Sequence, residues 1–532
     1  MLLAAALSEN LHEQLQRLPD MLGWHVTLSF AALATGVAIS LPLGVVCSTR
    51  PRLRAVMLTL AGLIITIPSL ALLALMVPLF VAILPADQVR YSIGFWPSYV
   101  ALTLYSILPV LRNTTTGLMG VNPAYIEAAR GVGMTEWQML RQVQFPLAGP
   151  VIVAGIRTAT VWVVGMATLA TPVGAKCLGY YIFSGLQTQN HVAVVFGCVF
   201  AALLAVVLDQ LIRAVEYSLE KRKKRLLIAA LAALLAITAG ATAGPLREAW
   251  SRWGDARPLV TVGAKPFTEQ LVLADLTART LQERGVNVDL RSNLGSNVLY
   301  DALRTGSVDV YVDYSGTIWS SIMKRTDAPN PDTILKEVGE YVRDHDGIEL
   351  IGPLGFENKY VFAASPQRAA EWNLKSLADL TAHARGLRLA SDYEFFGRLD
   401  WRQSRDAYGL GECSPVPMDS TQMYEACRSG AVDVIVAYST DARLLSYGLV
   451  TLADPKRSLP PYHAILLASQ RASQDAQVRA GLTSLVGRIN DRTMLEANNL
   501  VDSEGRTSGE AATWLWDRVF PSAVVTPTTR TP

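Results

Sequence analysis

Two stretches of the chain, "YDALRTGSVDVYVDYSG" at Tyr300–Gly316 and "YEACRSGAVDVIVAYST" at Tyr424–Thr440, read almost alike. In each, an arginine (Arg304, Arg428) falls in the last turn of a predicted helix, where a cation meets the negative end of the helix dipole. A glycine follows (Gly306, Gly430), suited to the left-handed residue that ends a helix. Valines then alternate, Val308, Val310 and Val312 in one copy and Val432, Val434 and Val436 in the other, along one face of a strand. Each strand ends at a tyrosine, Tyr314 or Tyr438. Working outward, "LVTVGA" (259–264), "EQLVLADLTARTLQERG" (269–285), "VNVDLRS" (286–292) and "NVLYDALRTG" (297–306) alternate strand and helix patterns. This predicts an α/β fold of parallel sheets with crossover helices, with ligands beyond the carboxyl ends of the strands. Two such units predict two lobes facing across a cleft, with both tyrosines in it.

Upstream the chemistry changes. The 532-residue chain is 51% hydrophobic with a mean hydropathy of +0.27, an average that hides an apolar half up to about residue 244 and a polar half beyond it. Apolar runs at 24–47, 55–84, about 92–112, about 150–172, about 191–211 and 226–244 predict about six bilayer crossings. The second is long enough for a tilted helix, or for a helix and a re-entrant turn at Pro68. Cationic connections alternate: "STRPRLR" (48–54), the stretch from Arg112 to Arg141, and "EKRKKR" (220–225). They place these loops in the cytoplasm and the polar half on the outer face. The start, "MLLAAALSENLHEQ", lacks a basic lead and a full apolar core, so no cleavable signal peptide is expected.

Several classes are set aside. A net charge of +2 gives nucleic acid nothing to hold. Cys47, Cys177, Cys198, Cys413 and Cys427 form no CxxC pair or metal-ligand spacing, so no metal and no cofactor are expected. Cys413 and Cys427 are compatible with a disulfide or with two free thiols. His12, His25, His191, His345, His383 and His463 include no HExxH pair, and no GxSxG elbow occurs, so no catalytic residue is nominated. Trp319 and Trp401 read as lobe packing.

The loop "NPAYIEAARGVGMTEWQMLRQVQFPLAGP" (122–150) carries Glu127, Ala128 and Ala129, then Gly133, then Val143, Phe145 and Pro146. It resembles the EAA signature of ABC importer permeases. Small alanines let a short helix enter a partner's groove, Gly133 permits the turn, and Pro146 starts the next span. The chain has no GxxxxGK[ST] phosphate loop, so a cytoplasmic ABC ATPase subunit must be a separate partner. The resemblance further implies a second copy of this chain around one pore.

In the polar half, "GAKPFTEQ" (263–270), "YVDYSGT" (311–317), "LGFENKY" (354–360), "EFFGRLDW" (394–401), "VAYSTD" (436–441) and "LPPYHA" (459–464) occur in order. They resemble the binding proteins of the glycine betaine, carnitine and choline uptake family, and the whole chain is similar to that family's fused permease and binding-protein version. The resemblance implies an α-helical permease domain of the type I importer kind followed by a two-lobed, periplasmic-binding-protein-like type II domain. The implied division is an N-terminal segment 1–20, a permease 21–220 with its EAA loop at 121–150, an additional span and linker 221–257, and a binding domain 258–532. The lobes are expected at about 258–360 plus 470–532, and at 361–469. The linker "PLREAWSRWGDARP" (245–258) tethers that domain to the pore, raising its local concentration to roughly millimolar.

In those relatives a tyrosine cage surrounds a quaternary ammonium group, and the matching positions are Tyr314, Tyr360, Tyr438 and Tyr462. Such a cation makes no strong hydrogen bonds, so its affinity comes from ring faces. The resemblance also nominates Lys265, Arg398 and Thr317 for a ligand carboxylate. Expected, then, is a multi-pass protein of a bacterial inner membrane that imports glycine betaine, carnitine, proline betaine or choline. Ergothioneine, a trimethylated histidine betaine, satisfies the same cage; a ligand-gated channel or sensor would share the architecture but has no use for an EAA loop.

Overall fold

The computed structural model describes residues 2–85, 88, 91–187, 190–254, 259–325, 327, 330–392 and 394–521. The chain divides into two compact units, one mainly Leu11–Ala256 and one mainly Arg257–Pro532. The last four residues of the expected linker, 255–258, and the tail 522–532 lie outside the described residues.

The first unit is helical: α1 (Leu2–Thr49), α2 (Pro51–Thr66), α3 (Ser69–Ile83), α4 (Phe95–Met119), α5 (Pro123–Gly131), α6 (Glu136–Met139), α7 (Phe145–Ala167), α8 (Gly179–Gln187), α9 (His191–Glu220) and α10 (Lys224–Gly254). The break between α2 and α3 falls at Pro68, where the two axes bend by 98°. Proline offers no N–H and pushes the residue before it out of the helical region, and Ile67 is accordingly extended (φ −68, ψ 128). Helix α10 runs on through most of the expected linker to Gly254.

Among the described residues, four helices are long and apolar enough to cross a bilayer: Gln14–Thr49, Glu136–Val173, His191–Glu220 and Lys224–Arg247; the bent pair makes a fifth if it is one span. The expected crossing at about 92–112 does not qualify. Most of it falls in α4, a 25-residue helix that packs against α2, α3 and α7 and buries Ser98, Thr103, Ser106, Thr114 and Thr115. Hydroxyls of Ser98, Ser106 and Thr115 donate to carbonyls within or next to their own helix. A helix enclosed by other helices does not need the uniformly apolar surface that lipid demands. Close approach depends on missing side chains: a Cβ at Gly155 would sit 2.5 Å from that of Asn113 and 2.9 Å from the Pro109 carbonyl.

Helix α5 is capped by Asn122, whose side chain accepts from the Ala124 N–H at 3.0 Å. Gly133 turns the chain with φ +82. A reciprocal cap between Thr135 and Gln138 starts α6, and Pro146 occupies the first turn of α7. Ala129 is buried, while Glu127 and Ala128 are exposed. Tyr125, Val132 and Trp137 are also exposed, at 57%, 75% and 67%.

Among the described residues the second unit contains ten strands: β1 (Leu259–Gly263), β2 (Asn287–Arg291), β3 (Val310–Tyr314), β4 (Ile348–Glu357), β5 (Tyr360–Ala364), β6 (Arg388–Ser391), β7 (Ser414–Pro417), β8 (Val434–Tyr438), β9 (Val450–Leu452) and β10 (His463–Ser469). They form two five-stranded sheets, ordered β2-β1-β3-β10-β4 and β7-β6-β8-β5-β9. The two quoted stretches supply β3 and β8, the central strand of each sheet, and Gly306 (φ +76) and Gly430 (φ +75) end the preceding helices.

The parallel expectation holds for β1 with β2 and β3, and for β6 with β7 and β8. The sheets as a whole are mixed, because β10 runs antiparallel to β3 and β4, and β5 antiparallel to β8 and β9. The chain passes between lobes at Glu357–Tyr360 and again just before His463, and each arriving strand enters from the cleft side, against the direction of its neighbours. Residues 463–469, expected in the second lobe, therefore pair in the first sheet.

Candidate functional site

Beyond the carboxyl ends of β1, β3, β6 and β8, and at the start of β5, the loops of both lobes converge. After β1, Lys265 and Phe267 lead into α11 (Thr268–Gln282), and Phe267 is its N-cap residue. Tyr314 closes β3, Tyr438 closes β8, Tyr360 opens β5 and Tyr462 immediately precedes β10. Tyr314, Tyr360 and Tyr462 are buried.

These rings form a row. Tyr360 stacks on Tyr438 with centroids 5.1 Å apart and planes at 28°. Tyr438 stacks on Phe267 of the other lobe at 5.5 Å and 12°, and Phe267 stacks on Tyr314 at 6.3 Å and 26°. Tyr462 meets Tyr360 edge-on at 5.7 Å and 83°, and Phe395 lies 4.8 Å from Tyr360. Tyr314 and Tyr438 therefore do not face each other directly, as two opposing walls would; the Phe267 ring stands between them. Phe267 lies inside "GAKPFTEQ", yet only its neighbour Lys265 was nominated from that motif.

The polar candidates are already engaged. Arg398 lies 5.9 Å from the Tyr360 ring centroid, donates to Thr317 Oγ1 at 3.4 Å and forms a short ion pair with Glu394. Its guanidinium stays charged because the surrounding carboxylate and phenol groups outweigh the cost of burial. Burial pushes the Glu394 carboxyl up, but Arg398 and Lys265 overcome this and hold it below its ordinary value. Lys265 is 3% exposed and pairs with Asp313 at 2.5 Å, with its ammonium 5.5 Å from the Tyr314 ring centroid. Neither cation is a solvated surface charge. Lys265 sits at the Tyr314 end of the row and Arg398 at the Tyr360 end, and Glu394 feels the field of both.

One buried carboxylate ties the lobes. Glu269, in the first turn of α11, accepts from Tyr314 Oη at 2.6 Å, from Asn358 Nδ2 at 2.9 Å and from Asn498 Nδ2 at 3.2 Å. Its second oxygen also takes the hydroxyl of Thr440, from the second lobe, and Asn498 reaches the Thr440 carbonyl at 2.9 Å. Burial raises the Glu269 carboxyl, and the four donors pull it partly back.

Trp319 and Trp401 pack as expected: the Trp319 indole donates to the Asp327 carbonyl at 2.7 Å, and Trp401 packs against Phe395 and Phe396. His463 pairs with Glu357 at 3.2 Å. Cys413 and Cys427 are both free thiols. Among the described residues no cluster of His, Cys, Asp and Glu is arranged to hold a metal ion.

Two family models match. The one described as the substrate binding domain of the ABC-type glycine betaine transport system matches residues 258–517, and the one described as a binding-protein-dependent transport system inner membrane component matches residues 40–224. The ergothioneine transport permease/ergothioneine binding protein of Helicobacter pylori (strain G27) is 29% identical over 490 residues, which is 89% of this chain and 84% of that relative. The choline transport system permease protein of Bacillus subtilis (strain 168) is 40% identical over 195 residues, 37% of this chain and 85% of the relative. The osmoprotectant import permease protein of Salmonella typhimurium (strain LT2) is 41% identical over 204 residues, 37% of this chain and 92% of the relative.

Proposed function

Because the chain belongs to the binding-protein-dependent ABC importers, as an inner-membrane component fused to a substrate-binding domain of the glycine betaine type, we propose that it captures a quaternary ammonium solute outside the cell and passes it through its own membrane half. The observation that carries the reading is the row of rings drawn from both lobes, Phe267, Tyr438, Tyr360 and Tyr462, with Arg398 beside Tyr360. Ring faces suit a cation that cannot donate strong hydrogen bonds, and a guanidinium suits the carboxylate of a betaine. Tyr314, Lys265 and Thr317 complete the proposed site.

The division of labour follows the expected boundaries: pore at 21–220, tether at 221–257 and capture at 258–532. The hairpin with Glu127, Ala128, Ala129, Gly133 and Pro146 docks a cytoplasmic ATPase subunit, two copies of the chain surround one pore, and the alternating cationic loops put the binding domain on the outer face. Ergothioneine is the second reading. It is favoured by the Helicobacter pylori relative, which matches across both halves of the chain and is named for that ligand; the same cage and guanidinium would receive its betaine portion.

The test is ligand-stimulated ATP hydrolysis by the full chain purified with its co-expressed ATPase subunit. Glycine betaine, carnitine, choline or ergothioneine is expected to raise the rate severalfold. Gly133→Val is expected to abolish that stimulation while leaving ligand affinity unchanged, since a β-branched residue at φ +82 costs roughly 1–2 kcal/mol or more of backbone strain. Absence of stimulation by all four solutes, in a complex that hydrolyses ATP, would contradict the reading.

A further inference from the structure

We propose that Glu269, Asp392 and Asp400 are positioning residues that make the aromatic cage selective for a permanent positive charge rather than for the shape of its ligand. The inference rests on the cage reading above and adds to it a source of discrimination. Each of these carboxylates accepts the hydroxyl of a different tyrosine: Tyr314 donates to Glu269 at 2.6 Å, Tyr438 to Asp392 at 3.0 Å, and Tyr462 to Asp400 through a short hydrogen bond. The fourth, Tyr360, contacts the Tyr438 hydroxyl at 3.5 Å and so joins the same network. One phenol on an acid is ordinary satisfaction of a buried hydroxyl; the same arrangement behind three rings of one row is a pattern of the site.

Two physical effects follow. A phenol that donates to a carboxylate cannot spin or tilt freely, so each ring face is held in place. Its π-face is also enriched in electrons, and the carboxylate adds its own negative field at the hydroxyl edge of the ring. Both strengthen attraction to a cation at the ring face and do nothing for a neutral group of equal size.

The carboxylates are fixed in their turn. Asp392 takes the N–H groups of Glu394 (2.8 Å) and Phe395 (2.9 Å) on its other oxygen. Asp400 is fully buried in the first turn of the helix Leu399–Tyr408, and Glu269 is anchored in α11 by the contacts described above. Lys265 and Arg398 make their ion pairs with Asp313 and Glu394, although the Arg398 charge still acts on Asp392 and Asp400. Burial is the largest influence on the carboxyls of Glu269, Asp392 and Asp400 and raises all three. A bound ammonium group would add a positive charge beside them.

The experiment compares ligands that differ only in charge, on the full chain in detergent or nanodiscs. Glycine betaine is paired with 3,3-dimethylbutanoate, and choline with 3,3-dimethylbutan-1-ol, each replacing the ammonium nitrogen by carbon. Asp400→Asn keeps an acceptor for Tyr462 and removes the charge. It is expected to weaken glycine betaine and choline by about tenfold and the carbon analogues by less than about twofold. Asp392→Asn, on a separate loop, gives the same comparison should the first variant fail to fold. Equal losses for charged and uncharged members of a pair, or no loss for either, would overturn the proposal. If the unaltered chain bound no trimethylammonium compound at all, the cage reading would fail first and this inference with it, an outcome separable from the previous two.

Discussion

Tyr438→Ala is expected to lower the affinity for the trimethylammonium ligand by about a hundredfold or more, equivalent to about 3 kcal/mol. Tyr438 stacks on rings of both lobes, with Tyr360 of its own sheet at 5.1 Å and Phe267 of the other at 5.5 Å. Its removal deletes a ring face, which contributes about 0.5–2 kcal/mol to a desolvated cation, and also deletes an apolar contact across the seam that holds the lobes together. Phe267→Ala should match it closely, since Phe267 is the partner ring on the facing lobe. Tyr314→Ala should cost clearly less, because the Tyr314 ring stands behind Phe267 at 6.3 Å. Isothermal titration of the three variants checks the ranking, and a Tyr314→Ala loss as large as that of Tyr438→Ala would contradict the arrangement of the row.

Arg398→Ala is expected to separate ligands by their other end. Glycine betaine and carnitine should weaken by about a hundredfold, and choline by no more than a few-fold. The guanidinium is the cation at the Tyr360 end of the row, 10% exposed and within reach of Thr317. Hydrogen bonds between ionised partners in such a place contribute roughly 1.5–3 kcal/mol each. The substitution also frees Glu394, which is about half exposed and can return to water, so choline, a cation with no carboxylate, loses little. Competition binding on the same variant reads both classes at once; parallel losses for betaine and choline would show that Arg398 shapes the site instead of holding a carboxylate.

What could be read from residues alone follows from which interactions are local. The break at Pro68, the turns at Gly306 and Gly430, and the capped hairpin around Gly133 are each set by a few adjacent residues, and they stand where the sequence places them. Strand direction is not local. Nothing within "YHAILLAS" or "YVFAA" says that β10 and β5 enter their sheets antiparallel, because that depends on the chain crossing twice between lobes. Helix α4 was expected as a crossing, yet its hydroxyl-rich composition keeps it from qualifying as one: Ser98, Ser106 and Thr115 bond to nearby carbonyls and are covered by neighbouring helices, so hydropathy understates how central the helix is.

The site divides the same way. Motif resemblance nominated side chains at the strand ends, and the loops bring Tyr360, Tyr438, Tyr462, Arg398 and Thr317 close together. The partners that determine their chemistry lie far away along the chain: Asp313 for Lys265, Asp392 for Tyr438, Asp400 for Tyr462 and Glu269 for Tyr314 are separated by 48, 46, 62 and 45 residues. No spacing rule links such pairs. Phe267 was legible in principle, as an aromatic directly after "KP" at the end of a strand, and its role emerges only when the second lobe is folded against it.

The measurement that bears most directly on the account is an equilibrium titration of the purified full-length chain with glycine betaine, carnitine, choline and ergothioneine, each beside an uncharged carbon analogue where one exists. Saturable binding of at least one trimethylammonium compound is expected at one site per chain, with the matching neutral analogue bound at least about tenfold more weakly. Failure of all four to bind, or a neutral analogue that binds as tightly as its charged counterpart, would contradict it.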